Sequence, residues 1–369
     1  FKFITMQNQI PNNWQKIKLG EIAQDIRDLY EPKKTESLKY IGLEHIEQNS
    51  LRLYGAGNSA DTQSTKKIFG KNDILFGTLR SYFRKIVKPK FSGVCSTDIA
   101  VIRAKKNHDQ SFLFYFLANP YFIRYASSPG EGTKMPRAKW NYLSNTQWVI
   151  PKLEEQKRMG SFLSAYDDKI ELNNKIAKTL EDMAQTIFKE WFVNKQNVNN
   201  SIIKDITFVK TGNRPEKLND IKDKSHSVPV YGANEIMGYT SKTLYNTRII
   251  ITGRVGTIGK IFIVNEPSWP SDNVLILIPK NNDYFYFLYF LAKRINYLSL
   301  NRGSSQPLIA QSDIENYLIY LPDQTKVKRF NSLVSNLFVL KKIKENENKK
   351  LVALRDLLLP KLMKGEIKL

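Results

Sequence analysis

The sequence predicts an α/β (α+β) architecture built twice: a mixed domain, a long helix, a second mixed domain and a second long helix. The helices should return along each other as an antiparallel coiled coil, giving a pseudo-two-fold repeat. Three observations predict this. Short apolar runs bounded by Gly, Asn and Asp read as strands joined by turns. Leu153 to Val193 reads as one helix of about 41 residues, roughly 60 Å long at 1.5 Å per residue. Its apolar seam is Met159, Leu163, Tyr166, Ile170, Asn173, Ala177, Leu180, Ala184, Ile187 and Trp191, stepping by alternating fours and threes, and a heptad seam needs a partner helix. Finally, the order of the first half recurs in the second, and Pro136 to Pro307 and Pro151 to Pro322 are both 171 positions apart.

The implied segments are 1–152 (first domain), 153–195 (central helix), 196–322 (second domain) and 323–369 (second helix). The first domain opens with the amphipathic stretch Ile17–Ile26. Strands follow at Tyr40–Leu43, Asp73–Gly77 and Ile99–Ile102, then a helical piece at Phe112–Ala118 and a polar loop at Ser127–Pro136. A last strand, Gln147–Ile150, delivers the chain through Pro151 into the long helix. That helix lacks a good side-chain N-cap, but Glu154 and Glu155 suit its positive end. The Asn-rich stretch Asn194–Ser201 reads as a linker.

The second half then echoes the first. Ile202–Val209 matches the opening stretch, Pro229–Asn234 the Tyr40 strand, and Ile249–Gly256 the run Ile74–Arg80. Ser271-Asp272 matches Thr97-Asp98, Phe287–Ala292 matches Phe114–Ala118, and Ser304–Pro307 matches Thr133–Pro136. Shifting the first seam by 171 places Phe330, Val334, Leu337, Lys341, Lys344, Asn348, Leu351, Arg355, Leu358 and Leu362 on the second helix. A more apolar seam is Leu333, Leu337, Leu340, Lys344, Glu347, Leu351, Leu354 and Leu358. Asp323 is placed to cap the helix start, Pro360 should bend or break it, and Gly365 should cap a last turn. The polar members Asn173 and Lys344 are candidates for fixing register.

The chain of 369 residues carries a net charge of +22 and a pI near 9.7. So basic a protein points to a polyanion, nucleic acid before an anionic membrane. No apolar run approaches the roughly 18 residues of a spanning helix. Cys95 is the single cysteine, and His45, His108 and His226 are scattered, which argues against a disulfide or a metal site and fits a reducing cytoplasm. The chain opens on Phe1, which reads as a tag remnant or trimmed start, with Met6 the candidate initiator.

Catalytic motifs are missing. Gly253–Lys260 resembles a phosphate loop, but its spacing fails and Ile261 follows the lysine, so it reads as a tight turn. No dinucleotide loop, nucleophile elbow or zinc-protease motif occurs. The Asn-Pro-Pro-aromatic signature of amino-methyltransferases is absent too. Basic and polar loops are plentiful. Arg80, Arg84 and Lys85 follow one strand, and Lys134, Arg137 and Lys139 surround Met135-Pro136. In the second half, Asn234, Arg254 and Lys260 lie in or before the glycine turn, and Arg302, Ser304, Ser305 and Gln306 in the matching late loop. Arg and Lys serve phosphates or guanine edges, and Asn and Gln pair with adenine. The candidate helix-pair residues are Leu163, Tyr166, Ile170, Asn173, Leu180 and Ile187 against Leu337, Leu340, Lys344, Leu351, Leu354 and Leu358.

The run Leu351-Val-Ala-Leu-Arg-Asp-Leu-Leu-Leu-Pro-Lys-Leu-Met-Lys-Gly-Glu-Ile367 closely resembles the ending of specificity subunits of type I restriction-modification systems. Ile41–Ile46, Ser96–Asp98, Lys134–Arg137, Asp167–Asn173, Tyr231–Asn234, Arg254–Gly259 and Ser305–Pro307 agree, and the resemblance covers nearly the whole chain. One mild departure is Asp323-Gln-Thr, where the first repeat has the more typical Glu155-Gln156. The resemblance implies two target-recognition domains, each reading half of a split double-stranded DNA sequence. It implies an antiparallel coiled coil that separates them and docks two methyltransferase subunits, with restriction and translocase subunits joining. Methylation would fall on adenine N6, with S-adenosylmethionine in the methyltransferase partner and no cofactor in this non-catalytic chain. The roughly 60 Å rod is nearly two DNA turns at about 34 Å each, so the helices would act as a ruler. The alternative reading is a coiled-coil scaffold with non-specific DNA binding, which a salt-dependent duplex-binding assay separates. A methyltransferase with unrecognised motifs is the enzymatic rival, tested by S-adenosylmethionine binding to the chain alone.

Overall fold

The computed structural model describes residues 14–128, 136–193 and 199–369. Phe1, Met6, Lys134 and Met135 lie outside these residues. The chain divides into two compact units, residues 1–173 with 347–369, and residues 174–346.

In the first unit, β1 (Trp14–Lys18) pairs antiparallel with β11 (Gln147–Pro151) and leads through the single turn α1 (Leu19–Ile22) into β2 (Ala23–Ile26). The opening amphipathic stretch is therefore strand, turn, strand. β3 (Leu29–Tyr30), β4 (Lys39–Ile41), β5 (Gly57–Asn58), β6 (Lys66–Phe69), β7 (Ile74–Gly77), β8 (Ile86–Val87), β9 (Gly93–Cys95) and β10 (Ile99–Ala104) follow. They form two sheets, ordered β2-β10-β7-β8 and β3-β6-β9-β4-β5. Every residue of β7 is buried, which is why its sequence is a continuous apolar run and not an alternating one.

α2 (Gln110–Ala118) is apolar on all sides because it is buried on all sides, and the Asp109 side chain caps it by accepting from Phe112 N. α3 (Pro120–Ser127) and α4 (Trp140–Leu143) complete the domain. The long helix α5 spans Leu153–Phe192. Met159 and Leu163 of α5 share one core with Phe112, Phe116 and Leu117 of α2. Leu359 and Leu362 from the far end of the chain enter the same core.

The second unit repeats this order. Its strands are β12 (Asn199–Ile202), β13 (Thr207–Thr211), β14 (Val228–Tyr231), β15 (Ile236–Thr240), β16 (Ile249–Gly253), β17 (Ile261–Val264), β18 (Trp269–Pro270), β19 (Val274–Pro279) and β20 (Leu318–Leu321). Its helices are α6 (Ile203–Ile206), α7 (Phe285–Ala292), α8 (Gln311–Glu315) and α9 (Gln324–Met363). β12 pairs with β20 as β1 does with β11, and β13-β19-β16-β17 matches β2-β10-β7-β8. The parallel pair β14 and β18 matches the parallel pair β4 and β9. Of the expected linker, residues 194–198 lie outside the described residues, while Asn199–Ser201 belong to β12, the strand that pairs with β20.

In each unit the segments of α5 and α9 run antiparallel. In the first, Asp167 meets Arg355 and Asn173 Nδ2 donates to Asn348 Oδ1 at 2.9 Å. In the second, Glu181 meets Lys341, and Phe188 packs on Phe330 with ring centroids 5.8 Å apart. Asn173 therefore meets an asparagine of α9. The buried face of α9 follows the seam transferred from the repeat: Phe330, Val334, Arg355 and Leu362 are buried, with Leu337, Leu351 and Leu358 partly so.

The more apolar alternative is overturned. Leu333, Leu340 and Leu354 are 43%, 49% and 47% exposed. The inner face of α9 is occupied by Arg355, Asn348 and Lys341, which answer polar groups of α5, and the leucines one position away turn outward. α9 also continues through Pro360 to Met363. The missing N–H costs one hydrogen bond, while Leu359, Leu362 and Met363 bury that final turn. Gly365 at φ 70° then ends the helix with Gly365 N bonded to Leu362 O and Glu366 N to Lys361 O, the paired bonds of a Schellman cap. At its other end Lys326 N donates to Asp323 Oδ1 at 3.2 Å, as a capping residue requires.

Glu181 accepts from Tyr289 Oη at 3.0 Å and pairs with Lys293 and Lys341. Burial alone raises its carboxyl. Hydrogen bonds and charge from the two lysines outweigh that and bring it to about 2. A carboxylate held below its free value of about 4.3 adds stability that is complete above that value and is lost as pH falls toward the folded value. Glu181→Gln should therefore destabilise the second unit by roughly 1–3 kcal/mol at neutral pH and by clearly less near pH 3. Urea titrations at both pH values check this, and equal losses would assign the effect to packing.

Candidate nucleic-acid interface

Three loop segments of the first unit are tied together by backbone bonds. Thr78 N donates to Asp98 O, Ala138 N to Thr78 O and Arg80 N to Pro136 O, all within 2.8–2.9 Å. Leu79 and Arg137 form an isolated bridge. The second unit builds the same junction. Arg254 N donates to Asn273 O and Ile309 N to Arg254 O, both at 2.9 Å, and Gly256 N donates to Pro307 O at 3.0 Å. Val255 and Leu308 form the bridge. Ser96 matches Ser271, since each hydroxyl accepts from the backbone N two residues on, at Asp98 and Asn273. The echo of Thr97-Asp98 is therefore shifted by one residue from Ser271-Asp272.

The turns leaving β7 and β16 also correspond. Ile86 pairs with Phe76, and Ile261 pairs with Thr252. In the first unit a 3-10 turn over Ser81–Phe83 is bracketed by Arg80 at φ 50° and Arg84 at φ 49°. In the second, Gly256 and Gly259 stand there at φ 74° and 76°. An arginine in this left-handed region costs about 1 kcal/mol or more, which glycine avoids.

The expected site residues divide accordingly. Arg80, Arg137 and Lys139 are exposed around the first junction. Arg137 forms an ion pair with Asp98 there. Tyr82, 48% exposed beside Arg80, was not singled out by composition or spacing and joins them. Arg84 is corrected: it is buried, with Nε donating to Ala118 O at 2.7 Å. Burial pulls its guanidinium down against the upward pull of Asp356. Lys85 also turns inward, Nζ donating to Leu43 O at 2.6 Å. Both lie where the chain re-enters the sheet, which a local basic cluster does not reveal.

In the second unit Arg254 is half-buried at the junction. Gln306 stands over the turn, its Nε2 3.3 Å from where a Cβ at Gly256 would sit. Ser304 and Ser305 are exposed beside it, and exposed Arg302 is ion-paired to Asp313. Lys260 Nζ donates to Asn234 O at 2.7 Å, so those two form a pair of their own.

Each junction thus offers cations and amide or hydroxyl groups on a rigid backbone frame, which suits phosphates and base edges. Cys95 is buried, and that burial pushes its thiol up to about 12, far from a reactive thiolate. Among the described residues, no group of three or more His, Cys, Asp and Glu side chains could hold a metal ion, and no helix is long and apolar enough to cross a membrane.

A family model described as "Type I restriction modification DNA specificity domain" matches residues 11–182 and again 195–351. The chain belongs to this family. Among the relatives of this specificity-subunit chain is the type I restriction enzyme MjaIX specificity subunit of Methanocaldococcus jannaschii, 27% identical over 98% of the chain and 95% of that protein. The HindI specificity subunit of Haemophilus influenzae is 23% identical over 96% of the chain and all of that protein. Among solved structures, the S subunit of a type I restriction-modification system from M. genitalium shares the fold with a TM-score of 0.57. It is 16% identical and covers 97% of this chain and 98% of its own. The double match coincides with the double construction of the two units, so the specificity subunit is a tandem of one domain type.

Proposed function

We propose that this specificity subunit reads a bipartite double-stranded DNA target, one half with each junction, and carries the subunits that act on it. The observation behind this reading is the identical backbone frame of the two junctions filled with different side chains. Arg80, Tyr82 and Arg137 occupy one, and Arg254 and Gln306 the other. A common frame sets how DNA is approached, and the unlike side chains let each half have its own sequence. The +22 charge supplies affinity through phosphate contacts.

The chemistry belongs to partners. Two methyltransferase subunits holding S-adenosylmethionine extrude and methylate adenine N6, and restriction subunits join them. No cofactor is assigned to this chain, and the cytoplasm, where DNA is present, is its compartment. Outward apolar residues of α9 are the docking surfaces we assign to the methyltransferases, Leu354 and Leu357 on the first unit and, separately, Leu333, Leu340 and Ile343 on the second.

The test is duplex binding against salt concentration, with and without the target sequence. The logarithm of affinity should fall with the logarithm of salt at about −0.9 per neutralised phosphate, and the target should bind at least about 10³-fold tighter than scrambled duplex. The chain alone should transfer no methyl group. A flat salt response or equal binding to both duplexes sinks the reading in favour of a scaffold protein.

A further inference from the structure

At the two left-handed positions where the second unit has Gly256 and Gly259, the first unit has Arg80 and Arg84. Glycine adopts this conformation freely, so two arginines here bring strain together with two side chains. The side chains leave the turn in opposite senses. Arg80 is exposed beside Tyr82. Arg84 turns inward to the carbonyl of Ala118, the last residue of α2, and to Asp356 of α9, with its Nη2 3.5 Å from Oδ1. Asp356 also pairs with Arg355, which binds Asp167 of α5, and Asp167 takes the Tyr115 hydroxyl of α2. Two buried arginines and two partly exposed aspartates thus form a charge-balanced cluster. It runs without a break from the turn that presents Arg80 to both long helices, all within one unit.

We infer that Arg84 is a positioning residue for DNA reading: through Ala118 and Asp356 it clamps the Arg80–Tyr82 turn to α2 and α9, and only the first half-site depends on such a clamp. This rests on the reading of the first unit as a DNA-reading domain. A ligand pressing on Arg80 or Tyr82 pushes on a turn whose base is bonded to the segment of α9 that carries Leu354 and Leu357. The turn in the second unit has glycine at the equivalent position and no side chain to make that tie.

The experiment uses the complex of this chain with its methyltransferase subunits. Its duplexes carry the cognate site, the site with the first half scrambled, or the site with the second half scrambled. Arg84→Gly removes the clamp but keeps a residue at ease with positive φ, so the fold is retained, which thermal unfolding verifies. Discrimination at the first half should fall about tenfold with the second half unchanged. Asp356→Asn should reproduce part of the loss, Arg84→Lys should recover part of it, and combining R84G with D356N should add little to R84G alone. Wild-type discrimination by R84G, or equal losses at both halves, overturns the inference. A wild-type complex that discriminates neither half brings down the DNA-reading function itself, and the inference with it, and is told apart by appearing before any substitution.

Discussion

Exchanging residues 14–150 for the equivalent domain of another specificity subunit is expected to change one half of the methylated sequence and leave the other as it was. Arg80, Tyr82, Asp98, Arg137 and Lys139 all lie inside the exchanged segment. The junction around Arg254, Asn273 and Pro307 lies wholly outside it and is closed by its own backbone bonds. Each mismatched base pair costs about 1–3 kcal/mol, so losing one half of several pairs changes preference there by about 10³-fold or more. The incoming domain must bury its helix against the long helices, as Phe112, Phe116 and Leu117 do here against Met159, Leu163, Leu359 and Leu362. Donors that keep an arginine and a tyrosine at the places of Arg84 and Tyr115 should assemble best, since those side chains answer Asp356 and Asp167. Methylation-sensitive sequencing of host DNA reads both halves at once. A change in both would mean that the domains do not read independently.

Arg355→Met should be the most damaging single substitution in the helix pair. Arg355 is 1% exposed and pairs with both Asp167 and Asp356. Removing it leaves two carboxylates with one cation, Arg84, whose Nη2 stands 3.5 Å from Asp356. Breaking this cluster from one side costs about 1–3 kcal/mol, less than for a fully buried pair, because Asp167 and Asp356 are partly exposed and keep some of their hydration. Calorimetry should show the melting of the first unit falling by roughly 5 °C, with Arg355→Lys falling less. Replacing Arg84, Asp167, Arg355 and Asp356 together with apolar residues, with Tyr115→Phe, should recover much of the loss, since an apolar core that leaves no charge or hydroxyl unpaired costs no desolvation. A melting point for R355M within about 2 °C of wild type would show that the cluster contributes little.

The duplication was legible because repeated landmarks such as Pro136 and Pro307 survive at a constant offset. That offset also chose the correct face of α9. Apolar content alone preferred Leu333, Leu340 and Leu354, which face outward, because a binary pattern cannot anticipate that Arg355, Asn348 and Lys341 are needed on the inner face by Asp167, Asn173 and Glu181. Arg80 and Arg84 look alike in the sequence. Only the path of the chain separates them: one leaves the sheet at Arg80 and the other re-enters it over α2. Their left-handed backbone could not be read either, since an arginine gives no sign of it, whereas Gly256 and Gly259 do. Nothing in the sequence marks Tyr82, because a lone aromatic among basic residues has no periodicity.

The first unit is discontinuous, closing residues 1–173 with 347–369, while the second is the single stretch 174–346. On the ribosome this reverses the usual order. The domain translated second is complete first. The domain translated first must wait for residues 347–369, because Arg355, Leu359 and Leu362 belong to its interior. A truncation that removes residues 347–369 is therefore expected to disrupt the unit translated first and to spare the unit 174–346.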